Sequence, residues 1–185
     1  MHAEAPMHAL VHEAGLPETA LERLWQALDA LTDPEIPVVT LREMGILRDL
    51  RRAPDGAVEV VISPTYSGCP AMDQIADDIS ATLAREGVVG RVVTQLAPAW
   101  TTDWMTDAAR EKLRAYGIAP PHCNHSDAGE VVSVVRFATQ KPMAVACPQC
   151  GSTNTTETSH FGSTACKALY RCLDCMEPFD HFKAI

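Results

Sequence analysis

No run in these 185 residues approaches the roughly 18 consecutive apolar positions that a membrane-spanning helix needs, although 46% of the chain is hydrophobic. The first fifteen residues lack both a basic start and an apolar stretch, since His2, Glu4, His8, His12 and Glu13 interrupt them, so no secretory signal is expected there. These two lacks lead to the expectation of a soluble cytoplasmic protein with no membrane partner, and the length suits about one or two domains. Positive charge is also scarce. Lys and Arg number 15 against 24 Asp and Glu, for a formal net charge of −9. Such a chain repels phosphate backbones unless its cations cluster, and only Arg48, Arg51 and Arg52 do so, interrupted by Asp49. No nucleic-acid partner is expected. Neither a GxGxxG fingerprint nor a P-loop occurs, which argues against dinucleotide and ATP binding. A di-iron oxygenase bundle draws Glu-x-x-His motifs from facing helices. Here Glu157-Thr158-Ser159-His160 is a single instance in a Thr/Ser-rich stretch.

What the chain does have is cysteine at metal-ligand spacing. Cys147-Pro-Gln-Cys150 and Cys172-Leu-Asp-Cys175 are separated by 21 residues, the pattern of a zinc ribbon. Each CxxC puts two thiolates on one tight turn, and two turns complete a tetrahedron of sulfur. Four thiolates leave no open position, so a structural Zn²⁺ is expected. In a reducing compartment such paired spacing points to metal and not to disulfides. The four negative thiolates against one doubly charged ion take the net charge two units further, to about −11.

Along the chain, the spacing of Leu21, Leu24, Trp25, Leu28 and Leu31 predicts a helix from Pro17 to Leu31, closed by Pro34. Two strands are expected at Ile46–Arg52 and Ala57–Ser63, joined by the turn Ala53-Pro54-Asp55-Gly56, with Val58, Val60 and Ile62 on one face. Pro70 suits the first turn of a helix whose buried stripe is Met72, Ile75, Ala76, Ile79 and Leu83, ending at Gly87. Val88–Leu96 reads as a third strand and Thr101–Tyr116 as a further helix. The expected organisation is a flexible segment 1–15, an α/β (α+β) domain 16–117, a connector 118–145 carrying the strand-like run Val131–Val135, and the ribbon 146–185.

Two further sites bear chemistry. Cys69 falls at the start of a helix, where the dipole and free N–H groups favour a thiolate, and Gly68 removes bulk beside it. It admits two readings, a reactive or metal-binding thiol, or a small buried residue in a strand-to-helix turn. Asp33-Pro34-Glu35 holds two carboxylates on a stiff segment, suited either to cation binding or acid–base work, or to a solvated helix stop. Cys166, between the knuckles, is open to three readings: an additional metal ligand, a cluster ligand shared with Cys69, or a packed core residue. His122-Cys123-Asn124-His125 is a short ligand-rich loop. Trp100 and Trp104 read as core or interface anchors, and Phe161, Phe179 and Phe182 as rings that need cover beyond the ribbon itself.

The segment Asp33-Pro34-Glu35, Val38 and Met44-Gly45-Ile46, followed by Val60 to Pro64 and Thr65-Tyr66-Ser67-Gly68-Cys69-Pro70, resembles the small α/β domain of iron–sulfur assembly factors of the SufT type. In addition, Ala99-Trp100-Thr101-Thr102-Asp103-Trp104-Met105, Gly117 to Pro121, Phe161 to Leu169 and Glu177-Pro178-Phe179 are similar to the PaaD (PaaJ) family of phenylacetyl-CoA epoxidase systems, over nearly the whole chain. The resemblance implies a non-catalytic accessory or maturation subunit of phenylacetate catabolism. It would assist assembly or transfer of a transient iron–sulfur cluster to the flavin- and [2Fe–2S]-bearing reductase, with the oxygenase subunits as further partners. It also implies that Cys69 handles the cluster, with Asp33 and Glu35 near it. Two other classes remain beside it: a thiol-dependent enzyme with Cys69 as nucleophile, paired for instance with His122 or His125, and a scaffold with an inert Cys69.

Overall fold

The structure, a computed structural model, describes residues 18–121 and 144–183. Helix α1 (Glu18–Asp29) inserts Leu24 and Leu28, both fully buried, into the core, while Leu21, Trp25 and Leu31 pack against its edge. Strands β1 (Leu47–Arg52) and β2 (Val58–Ile62) form the expected hairpin, closed by a hydrogen bond from the Ala53 amide to the Ala57 carbonyl at 2.8 Å. β2 is the central strand, and Val58, Val60, Val61 and Ile62 are all buried. A parallel neighbour needs a crossover, which α2 (Ala71–Arg85) supplies before β3 (Gly90–Thr94) lies beside β2. Ile75, Ile79 and Leu83 of α2 pack on this three-stranded sheet.

The expected single helix Thr101–Tyr116 is instead two pieces, a 3-10 turn at Thr102–Trp104 and α3 at Asp107–Ala115. Capping chemistry explains the break. The Thr101 side chain accepts from the Asp103 amide, and the Thr106 side chain accepts from the Ala109 amide, so each piece has its own N-cap. Trp100 is buried and donates its indole N–H to the Met44 carbonyl at 3.0 Å.

After α3 the chain makes a short strand β4 (Ile118–Ala119), which joins a second sheet with β5 (Thr155–Ser159), β6 (Lys167–Cys172) and β7 (Pro178–Phe182) in the order β4-β7-β6-β5. The second sheet therefore begins with residues that directly follow the first unit. Phe182, fully buried, lies 6.0 Å from the Trp100 ring and belongs to the same core cluster as α1, β2 and α2, as does Cys166. A second, smaller cluster holds Ala119, Val145, Cys147, Cys172 and Phe179. Of the three ring residues expected to need cover, Phe182 finds it in the first unit and Phe179 within the ribbon, stacked on Tyr170 at 5.8 Å. Phe161 stays 62% exposed beneath the Lys183 ammonium. The ligand-rich loop at 122–125, the run Val131–Val135 and the segment 1–15 lie outside the described residues.

Candidate functional site

The cysteine quartet forms two matching knuckles. In the first, the Cys147 amide donates to the Ser152 carbonyl at 2.8 Å and the Gly151 amide to the Cys147 carbonyl at 2.9 Å. In each knuckle the residue after the second cysteine has positive φ, Gly151 at 77° and Met176 at 67°. All four sulfur atoms lie within 4.8 Å of one another, with Cys147 to Cys175 at 3.7 Å and Cys150 to Cys172 at 3.6 Å. A tetrahedron with Zn–S bonds of about 2.3 Å has edges of about 3.8 Å, so the quartet fits one zinc ion. Backbone amides face the sulfurs: Ser152 at Cys150, Cys175 and Asp174 at Cys172, and Glu177 at Cys175. Such donors stabilise thiolate charge in the shell around a metal. In the metal-free quartet the Cys175 amide, first among several donors, holds Cys172 down at about 7. Cys175 is pushed up to about 12: the Glu177 amide favours its thiolate, but burial and the hydrogen bonds of the neighbouring thiols outweigh it. When bound, zinc supplies a crosslink between the two knuckles and nothing catalytic, since sulfur fills every position.

A second constellation gathers where the ribbon meets the first unit. Asp33 is buried at the mouth of the loop that follows α1, and its Oδ1 accepts the amides of Glu35 at 2.8 Å and Ile36 at 3.0 Å. The loop is held shut by the Thr32–Thr40 bridge and by the Leu41 amide donating to the Leu31 carbonyl at 2.9 Å. Burial raises the Asp33 carboxyl above its usual range, while the two amides and the Lys167 charge pull it back. Glu35, half-buried, is raised by burial and by Asp33, against Lys167 and a hydrogen bond from Thr164.

Cys69 sits on the loop between β2 and α2, half-buried, packed against the core cluster that contains Cys166. Its sulfur accepts from the Ala71 amide at the first turn of α2, as the helix position leads one to expect. The net effect runs the other way, however. Burial pushes the Cys69 thiol up more than that amide lowers it, and Glu35, Cys166 and Asp33 add to the rise. None of the groups weighing most on this thiol is a histidine. Tyr66 lies over the same place: its hydroxyl accepts the Ala165 amide, and the charges of Cys69, Cys166 and Glu35 all bear on it. Cys166 is buried, with the Thr164 hydroxyl 3.0 Å from its sulfur. Lys167, only 5% exposed, sends its ammonium to 3.9 Å from the Asp180 carboxylate.

The fold thus brings Asp33, Glu35, Cys69 and Cys166 to one junction and keeps the knuckle quartet as a separate centre. Sequence reasoning gave no role to Tyr66, Thr164 or Lys167. The adjacency of Lys167 to Cys166, and of Tyr66 to the glycine–cysteine turn, was the available signal. Among the described residues only the knuckle quartet brings three or more ligand atoms into metal-holding range. The junction is therefore an open arrangement of thiols and carboxylates and not a preformed cage.

Fold and site together define a class, an iron–sulfur assembly domain carrying a zinc ribbon. Residues 21–95 match the iron–sulfur cluster assembly protein family, and residues 131–183 match the PaaD zinc beta ribbon domain. The chain belongs to the PaaD family of phenylacetyl-CoA epoxidase systems. It is 46% identical over 166 residues, covering 89% of this chain and 93% of the relative, to an Escherichia coli K12 protein whose name makes it one of the subunits of a "Putative 1,2-phenylacetyl-CoA epoxidase". It is 31% identical over 94 residues to an Fe-S protein maturation auxiliary factor of Porphyromonas gingivalis, covering 50% of this chain and 89% of that one. Among solved structures, a domain of unknown function from Bacillus anthracis is 25% identical, covers 52% of this chain and 92% of that chain, and superposes with a TM-score of 0.46.

Proposed function

We propose that this protein is a non-catalytic accessory subunit that matures a phenylacetyl-CoA epoxidase system, receiving an iron–sulfur cluster as cargo and passing it to the reductase component. The observation that carries the reading is the half-buried Cys69 at the start of α2, with Asp33 and Glu35 bearing on its sulfur. A thiol that is partly open to solvent can accept cargo and release it, whereas a closed four-sulfur site retains its ion. Cys69 is the cluster-handling ligand. Asp33 is fixed by two amides and with Glu35 sets the charge around it, so that incoming iron meets negative potential. The ribbon, with its structural zinc on Cys147, Cys150, Cys172 and Cys175, holds the junction together and presents a docking face. The name of the 46%-identical relative supports the epoxidase setting, and that of the P. gingivalis relative supports the maturation role.

A nucleophilic enzyme built on Cys69 finds less support. An activated thiol needs a neighbouring base or a lowered pKa, and here burial raises the thiol instead. The test is to produce the reductase component with this protein or its Cys69→Ser variant and to measure cluster content on the purified reductase. Co-production with the wild type should fill the reductase, and the variant should leave it mostly empty. Equal filling by both proteins sinks the proposal.

A further inference from the structure

Of the six cysteines among the described residues, four form the knuckle centre, and the other two belong to or pack against one core cluster at the junction although 96 residues of chain lie between them. We infer that Cys166, delivered by the ribbon, is a second cargo thiol beside Cys69, so that the loading site is a dithiol shared between the two parts of the chain. This rests on the cargo reading above and adds a ligand to it.

Four observations carry it. Cys166 is only 5% exposed, and it belongs to the core cluster built mainly by the first unit, against which Cys69 also packs. The turn that presents it faces both loops of the junction, with the Ala165 amide bearing on the Tyr66 hydroxyl beside Cys69 and Thr164 bearing on Glu35 beside Asp33. The other side of the turn is fixed by the Lys183 amide donating to the Cys166 carbonyl at 2.9 Å and by Phe182 seated near Trp100. Finally, Lys167 places a buried cation whose charge bears on the Asp33 and Glu35 carboxylates and on the Cys166 thiol, and its nearest carboxylate, Asp180, stands off at 3.9 Å. A fixed ammonium that is not closely paired compensates charge when both thiols ionise onto iron. A core-filling role alone would place no carboxylates and no lysine around a buried thiol.

Two thiols suit a transfer site better than one or four. One thiolate binds iron too weakly to hold a cluster, and four bind it too firmly to release it. The half-exposed Cys69 and the buried Cys166 also differ in access, so a competing thiol from a recipient protein reaches the Cys69 side first.

The test uses the full chain, zinc-loaded and purified without oxygen, with Cys123→Ser as the common background because that thiol lies outside the described residues. Ferrous iron and sulfide are added, and protein-bound iron and acid-labile sulfide are measured. Cys69→Ser and Cys166→Ser should each lower iron affinity about tenfold or more, with zinc content unchanged. A loss with Cys69→Ser and none with Cys166→Ser overturns the dithiol and leaves the cargo reading standing. Iron retained equally by all three proteins overturns both. Should Cys166→Ser also lose zinc, a second measurement decides on the unsubstituted pair: phenylarsine oxide condenses with two thiols, forming two As–S bonds and releasing the arsenical oxygen with both thiol protons as water. Uptake of about one arsenical per chain, with both thiols lost to titration, is expected of neighbouring thiols. No uptake overturns the inference.

Discussion

Charge placement separates the residues that fasten this protein together from those that give it chemistry. Glu43 belongs to the first kind. Burial opposes its ionisation, but the Lys112 ammonium at 2.7 and 2.9 Å, the Thr40 amide at 2.9 Å and the Thr40 hydroxyl together hold it below the usual carboxylate range. The Glu43 amide returns a bond to the Thr40 hydroxyl at 3.1 Å, which makes Thr40 to Glu43 a capping box. A carboxyl depressed in the folded state adds stability that is fully present above its unfolded value of 4.5 and is lost as pH falls through the folded value. Glu43→Gln keeps the hydrogen bond to Thr40 and removes the charge. Because Lys112 is partly exposed, the variant should lose only about 0.5–1 kcal/mol at neutral pH. The difference between the two proteins in urea midpoint should close in acid. Any metal lost from the knuckles at low pH is lost from both and cancels. A gap that persists after the pH has fallen well below the folded value would mean that the pair acts through packing, not charge.

At the scale of elements, turns decide where strands and helices begin, and glycine decides two of those turns for different reasons. Gly151 has φ of 77° with open space around the position of a Cβ, so Gly151→Ala should cost about 1 kcal/mol from backbone conformation alone. Gly45 has φ of 69°, but a Cβ there would sit 2.7 Å from the Trp104 Cβ and 2.9 Å from its carbonyl oxygen. Gly45→Ala should therefore cost about 3 kcal/mol, strain and overlap together. Equal destabilisation of the two variants in thermal unfolding would sink this account. Much of the element pattern was legible because its signals are local: Pro54-Asp55-Gly56 marked the hairpin, Pro70 and Gly87 bracketed α2, and the two CxxC turns marked the knuckles. The split of the segment 101–116 was missed because its apolar spacing looked helical throughout, while the deciding signal, Thr106 capping Ala109, competes with helix continuation at a single residue. The two-residue strand β4 had no signal of its own, since it exists only through its parallel register with Asp180 and His181. The thiol junction was half legible. Asp33, Glu35 and Cys69 stood out by motif, but their meeting with Thr164, Cys166 and Lys167 depends on how two sheets dock, which no local pattern encodes.

At the scale of the molecule, the knuckle centre and the thiol junction are ends of one strand. β6 begins at Lys167, beside Cys166, and ends at Cys172, a knuckle ligand, while β7 returns from the second knuckle to Phe182 in the shared core. Removing the metal leaves four thiols that repel one another as they ionise and frees the turn end of the β6–β7 hairpin from its crosslink to the first knuckle. Because Phe182 and Cys166 are core residues of the first unit, that loosening reaches Trp100, 6.0 Å from Phe182. Zinc-stripped protein should therefore unfold at lower temperature in a single transition that also changes Trp100 burial, read by tryptophan fluorescence beside circular dichroism. It should also lose the iron-loading capacity of Cys69 although Cys69 itself is untouched. If chelation instead melts the ribbon alone, with the fluorescence transition and iron loading unchanged, the two parts of the chain are thermally independent and the junction does not need the ribbon. The coupled outcome is expected because the zinc-bearing strands supply the core residue Phe182 and the thiol Cys166 alike.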